Sequence, residues 1–173
     1  FRADMKDRQE RTGGPGEEIT HQDYNRGGAE AGLGLAVGRF HPRLSVGWRY
    51  FAFRPNPASS SHGPQATGAL SYQIHRHVRL QAQYTFSDRN FDAIRFIQRT
   101  DESGEPIVQR DRAERLRNDA LHLVRVGGSY RNEFILQLHY LLLRNLSNSY
   151  GQAMTRHGVE LDATIPLWWR LYL

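Results

Sequence analysis

Cysteine is absent from the chain, and Lys6 is its only lysine. The first absence excludes a disulfide frame and any thiolate metal site, and it is neutral as to compartment. The second means that the formal net charge of +5 is carried almost wholly by arginine. Arginine meets phosphate and carboxylate through a planar fork, where lysine offers a point charge. A basic chain of this kind suits nucleic acid or an anionic membrane surface. Long apolar runs are also missing. No stretch approaches the roughly 18 residues that a membrane-crossing helix needs, and the mean hydropathy is that of a water-soluble protein. The 173 residues suffice for one domain, and no composition break divides 1–173.

What the chain has instead is alternation. From Ala29 to Val37, residues Ala29, Ala31, Leu33, Leu35 and Val37 fall on one side, with Glu30 and glycines on the other. Leu44 to Phe53 sets Leu44, Val46, Trp48 and Tyr50 against Ser45, Gly47 and Arg49. Ala66 to Ile74 opposes Leu70, Tyr72 and Ile74 to Thr67, Ser71 and Gln73. The clearest stretch is Val78 to Ser87, where Val78, Leu80, Ala82, Tyr84 and Phe86 oppose Arg79, Gln81, Gln83, Thr85 and Ser87. A period of two is the mark of a strand between an apolar and a polar medium. A helix would scatter Arg79, Gln81 and Gln83 over three azimuths. Ala120 to Tyr130, Phe134 to Leu143 and Val159 to Ile165 repeat the pattern less cleanly, and Trp168 to Leu173 reads as a strand cut short. The expectation is seven strands and part of an eighth, most about ten residues long, the length of a tilted bilayer-spanning strand.

The connections carry a second pattern. Short links fall at Arg39 to Pro42, His75 to His77, Arg131 to Glu133 and Pro166 to Trp168. Long links fall at Arg2 to Asn25, Arg54 to Gln65, Asp88 to Arg117 and Asn145 to Arg156. Short and long alternate, so in an up-and-down sheet all short links lie at one end. Transmembrane β-barrels sort their loops in this way, and a soluble sandwich has no reason to. Aromatic residues fit the same frame. Phe40, Tyr130, Phe134, Trp168 and Trp169 sit toward the short-link end, and Trp48, Tyr50, Tyr84, Phe86 and Tyr140 toward the long-link end. These are the places for two interfacial belts facing lipid. The fold expected is all-β: an antiparallel up-and-down transmembrane β-barrel.

The whole chain resembles a Gram-negative outer-membrane β-barrel. More narrowly, Arg144-Asn145-Leu146-Ser147-Asn148-Ser149-Tyr150, with Arg156-His157-Gly158-Val159-Glu160-Leu161, is similar to late hairpins of porin-like proteins and of the C-terminal barrels of secretion proteins. The resemblance implies a bacterial outer-membrane location, with outer-membrane lipid, lipopolysaccharide and other envelope protein chains as partners. It brings no catalytic residue, no metal and no cofactor. Chains of this kind begin with a signal peptide and end on an aromatic residue. Phe1-Arg2-Ala3-Asp4 and Leu173 do neither, so the expectation is a processed form or a stretch of a larger barrel.

The polar strand face would line the lumen with Glu30, Arg49, Arg79, Gln81, Gln83, Arg125, Gln137, His139, Glu160 and Asp162. In a wide barrel these set the field for a pore that favours anions. In a narrow one they pack as a paired network, the reading preferred for so few strands. Glu160 and Asp162 read as partners for arginine rather than as paired catalytic acids. His75-Arg76-His77 reads as a turn rather than a metal pair. Ser129 and His139 could meet as nucleophile and base of an outer-membrane enzyme, but alternation alone produces that coincidence. The link from Asp88 to Arg117 interleaves Arg95, Arg99, Arg110, Arg112, Arg115 and Arg117 with acids. It reads as a solvated, partly disordered loop with local ion pairs, or as a grip on lipopolysaccharide phosphates or a neighbouring protein. Nucleic acid is disfavoured, because the aromatics that would stack on bases are committed to strands. The functions carried forward are an anchoring barrel in an envelope complex, a pore or export channel, and an outer-membrane enzyme. A soluble lipocalin-like barrel, with its apolar face turned inward, also fits the alternation.

Overall fold

The computed structural model describes the backbone of residues 2–12, 20–53 and 57–165, and the side chains of residues 25–53 and 58–165. Eight long strands form one antiparallel sheet: β1 (Arg2–Thr12), β2 (Thr20–Gly34), β3 (Phe40–Phe53), β4 (Ser61–His75), β5 (Val78–Ile94), β8 (Leu116–Arg131), β9 (Ile135–Ser147) and β10 (Met154–Thr164). Between β5 and β8 a separate hairpin is formed by β6 (Phe96–Thr100) and β7 (Pro106–Arg110). Chain neighbours are sheet neighbours throughout, apart from that hairpin, so the meander is strictly up and down. The seven strands from Ala29 to Ile165 predicted by alternation are β2, β3, β4, β5, β8, β9 and β10. Trp168 to Leu173, with the belt residues Trp168 and Trp169, lies outside the described residues.

Three expectations are corrected. The link Arg2 to Asn25 holds β1 and the start of β2, paired from Arg2↔Glu30 to Thr12↔Thr20. Ala3 and Met5 are the only apolar residues of β1, so the strand has no period-two contrast to read. The link Asp88 to Arg117 is not a disordered loop but strand and hairpin: β5 runs on to Ile94, and β6 pairs β7 from Phe96↔Arg110 to Thr100↔Pro106. Last, the sheet is open. Among the described residues β1 pairs only β2 and β10 pairs only β9, so these two edges do not close a barrel.

Register decides which side chains share a face. Ala31 pairs Val46, and Leu33 pairs Leu44. Tyr72 pairs Leu80, Leu70 pairs Ala82, and Tyr84 pairs Val124. Val126 pairs Tyr140, and Leu138 pairs Leu161. One apolar face thus runs unbroken from β2 to β10, and among the described residues nothing covers it. Leu33, Leu44, Val159 and Leu161 keep 68, 61, 70 and 66 % of their surface exposed. Among the described residues no apolar side chain is buried, and those that are buried are polar, Asp119 at 3 % exposure and His139 at 2 % among them.

Glycines show which way the sheet bends. On the polar face a Cβ at Gly127 would stand 2.1 Å from Leu138 O, one at Gly63 1.8 Å from Asp88 O, and one at Gly47 2.5 Å from Ala29 O. On the apolar face a Cβ at Gly27 or Gly68 meets nothing within 4 Å. Side chains converge on the inside of a curve, so the polar face is the concave one. A lipocalin-like barrel needs the opposite arrangement, with the apolar face inside. Gly127→Ala should therefore lower the unfolding free energy by about 1–3 kcal/mol through forced strand displacement. Gly68→Ala should leave it unchanged or raise it by up to about 1 kcal/mol. Urea titration of the two variants against the parent protein checks the pair, and equal effects would contradict the assigned curvature.

Candidate functional site

The concave face carries all ten residues predicted to line a lumen, from Glu30 on β2 to Asp162 on β10. Glu30 pairs Gly47, Gln81 pairs Ser71 and Gln83 pairs Arg125. His139 pairs Glu160 and Gln137 pairs Asp162. The same alternation adds Arg26, Arg43 and Arg89, so arginines outnumber carboxylates on this face. Sequence reading passed over Arg26 and Arg89, which lie beyond the clean alternation of their strands, and Arg43, which precedes it. Polar side chains are tied along the strands. Thr67 and Thr85 hydroxyls lie 3.1 Å apart, and Arg79 Nε donates to Gln73 Oε1 at 3.0 Å.

Two levels of the face are distinct. Nearer the short links, Arg43, Arg79, Arg125 and His139 line a hollow of about 510 Å³ with Gln81 and Gln83. Arg125 Nη2 donates to Glu160 Oε2 at 2.9 Å and approaches His139 Nδ1 at 3.3 Å. β8 therefore reaches across β9 to β10. Gly127 makes room for the imidazole, because a Cβ there would stand 2.6 Å from His139 Cδ2. Arg125 occupies the imidazole nitrogen at which a nucleophile such as Ser129 would need a base. Nearer the long links, Arg26, Arg49 and Arg89 line a second hollow of about 410 Å³. Asp119 pairs Arg89 in register but is committed elsewhere. It accepts from Arg117 Nε at 3.0 Å, Asn145 Nδ2 at 3.2 Å and Ser147 Oγ at 2.5 Å.

The opposite face holds the predicted belt residues that lie among the described ones. At the short-link end Phe40 packs at a tilt against Tyr72 with ring centres 4.6 Å apart, and Tyr130 against Phe134 at 5.1 Å. At the other end four of the five aromatics, all but Tyr50, meet a histidine. Trp48 stacks on His62, Tyr84 Oη meets His122 Nδ1 at 2.8 Å, and Tyr140 Oη meets His157 Nδ1 at 2.5 Å. Tyr50 lies exposed on this face, and Phe86 packs against His122. The aromatic–histidine pairing had no sequence signal, since its partners stand on different strands. From His122 to Tyr130 the strand runs about 27 Å at 3.4 Å per residue.

The charged hairpin is built on ion pairs. Asp111 takes Arg95 Nε at 2.8 Å and the Ala113 amide at 3.0 Å, with Arg115 at 4.0 Å. The hairpin also docks on the β9–β10 link, where Phe96 N donates to Ser149 Oγ at 2.9 Å and Tyr150 N to Phe96 O at 2.8 Å. Arg117 lies over the Phe91 ring at 4.1 Å. Arg99, Arg110 and Arg112 stand exposed on the hairpin. His75 and His77 flank a tight turn, their ring centres 5.6 Å apart, and His77 Nδ1 lies 2.8 Å from Arg131 O. Among the described residues no three His, Asp or Glu side chains gather as a metal site.

The Arg95 hydrogen bond, helped by the Ala113 amide, holds the Asp111 carboxyl below the usual carboxylate range. The Ser103 hydroxyl and the Glu105 amide do the same for Asp101 at the hairpin tip. A depressed folded-state value gives stability that is whole above the unfolded value of about 3.9 and is lost as pH falls through the folded one. Amide protection factors in β6 and β7 should then hold from neutral pH to about pH 4 and drop below it. Asp111→Asn should lower them already at neutral pH and remove most of the acid step. Hydrogen exchange checks this, and a parent hairpin unchanged in acid would contradict it. Comparison with protein-family models, characterised proteins and solved structures yields no match, so the chemistry of this face rests on its own geometry.

Proposed function

We propose that the chain forms the wall of a bacterial outer-membrane β-barrel whose concave, arginine-rich face lines an anion-favouring lumen. One observation carries the reading. The apolar face is continuous over seven strands and uncovered, whereas the buried side chains are polar. In water such a face is unfavourable, since each Leu or Val moved out of water contributes about 1.5–3 kcal/mol. Lipid is the medium that takes an apolar face of this extent without a second layer of protein. The free edges of β1 and β10 are then closed on each other or on further strands, because an unpaired edge cannot face hydrocarbon. The excess of arginine on the inner face attracts anions.

An anchoring role is the second reading, and the docked hairpin favours it. Ile107 and Val108 are exposed there beside Arg99, Arg110 and Arg112, a surface suited to lipopolysaccharide phosphates or another envelope chain.

Two measurements test the proposal. Leu138→Arg, in the middle of the apolar face, should cost about 2–4 kcal/mol of folding free energy in lipid vesicles. In water an exposed position of this kind shifts by only about 0.5 kcal/mol, and that result would remove the membrane. In planar bilayers the protein should conduct with anions preferred over cations, and replacing Arg49 and Arg79 by Gln should reduce the preference. A folded, bilayer-inserted protein that does not conduct would leave the anchoring reading in place of the pore.

A further inference from the structure

Two buried nitrogen atoms among the described residues have no hydrogen-bond partner: Arg125 Nε and His139 Nε2. They belong to one network. Arginine has no acceptor, so the contact between Arg125 Nη2 and His139 Nδ1 requires Nδ1 to accept. The imidazole proton then sits on Nε2. Both orphaned atoms are therefore N–H donors. A buried donor without an acceptor is unfavourable, and the complement of both is a group made of acceptors.

The surroundings define that group further. Arg125 and His139 line the 510 Å³ hollow together with Arg43 and Arg79. Arg79 spends one donor on Gln73, and among the described residues Glu160 is the one carboxylate bonded to this set. Three guanidiniums against one carboxylate leave an excess of two positive charges. Arginine forks match the oxygen geometry of phosphate. Gln83 Nε2 donates to Thr85 Oγ1 at 3.3 Å, and no acceptor among the described residues, the Gln83 amide oxygen included, meets the orphaned donors.

We propose that this hollow binds a phosphate dianion, free or as the terminal group of a larger solute, with Arg125 Nε and His139 Nε2 donating to its oxygens. The site deepens the anion-facing reading of the inner face, but it needs only the folded sheet and not the bilayer.

The test is proton–nitrogen NMR of the folded full chain in detergent micelles, following the Arg125 Nε–H and His139 Nε2–H resonances. Sodium phosphate is added against sodium chloride of equal ionic strength, with acetate and glucose 1-phosphate as further arms. Saturable shifts of both resonances with phosphate at millimolar concentration, and none with chloride, are expected. Arg43→Gln removes an exposed side chain that makes no described hydrogen bond, so the fold should persist while phosphate affinity falls about tenfold. Arg125→Gln should abolish the shift at His139. Tighter binding of glucose 1-phosphate than of inorganic phosphate would identify a phosphorylated solute as the ligand, and equal affinities would identify free phosphate. Shifts that match those in chloride would mean that water serves both donors and would overturn the proposal. Acetate binding as tightly as phosphate would overturn the dianion. Neither result depends on whether Leu138→Arg destabilises the protein in vesicles, so failure here and failure of the membrane reading are separable.

Discussion

The exposed apolar face is the constraint to which the rest of this structure answers. A water-soluble sheet hides its apolar side under another layer, and its stability comes from that burial. Among the described residues the long strands form a single layer. The described residues bury Asp119, His139, Asn145 and Ser87 and leave Leu33, Leu44, Leu138 and Leu161 outside. The sheet is therefore held within itself by backbone ladders and by polar side chains on its concave side. On the proposed reading, lipid supplies the missing layer, and the polar interior is the price of a face that must match hydrocarbon.

The concave side meets this demand in two ways. Glycines at 47, 63 and 127 let neighbouring strands close up where a Cβ would strike backbone. The space left is bridged by long polar side chains, as when Arg125 on β8 reaches Glu160 on β10 across His139 on β9. Asp119 plays a similar part higher up, gathering Arg117, Asn145 and Ser147. Arginine dominates here for a physical reason. Its stem spans neighbouring strands and its planar fork spreads five donors over three nitrogens, where lysine gathers its three donors on one. Charge balance is incomplete, because Asp119 and Glu160 are each engaged while Arg43 makes no described bond. The inner face keeps a positive character that local pairing does not remove.

Much of this was legible in the sequence because strand alternation survives wherever one face is apolar. Val78 to Ser87 reads as a strand at sight, and its partners in β4 and β8 follow from the same contrast. Legibility failed where that contrast disappears. β1 has polar residues on both sides, and the hairpin β6–β7 sits beyond the apolar band, so its strands look like charged loop. Curvature was illegible for a different reason. Alternation separates two faces but does not say which is concave, and only the crowding at Gly127 against the open space at Gly68 decides it. The site was visible residue by residue but not as a constellation. Arg125, His139 and Glu160 were each assigned to the polar face, but their contact depends on register across three strands. The link from Arg43 to that group needs six strands, β3 to β10, in register.

The central claim is that the face bearing Val124 and Val126 meets lipid while the face bearing Arg125 and Gly127 does not. The chain has no cysteine, so single-cysteine variants along residues 122–130, the crowded Gly127 apart, can each carry one spin label without background. Collision rates with oxygen, which concentrates in hydrocarbon, and with a water-soluble nickel chelate should be measured in vesicles. The account predicts high oxygen accessibility at even-numbered positions and low at odd-numbered ones, with the greatest contrast near Val126. Nickel accessibility at 124 and 126 equal to that of a label in water, or no alternation at all, would contradict it.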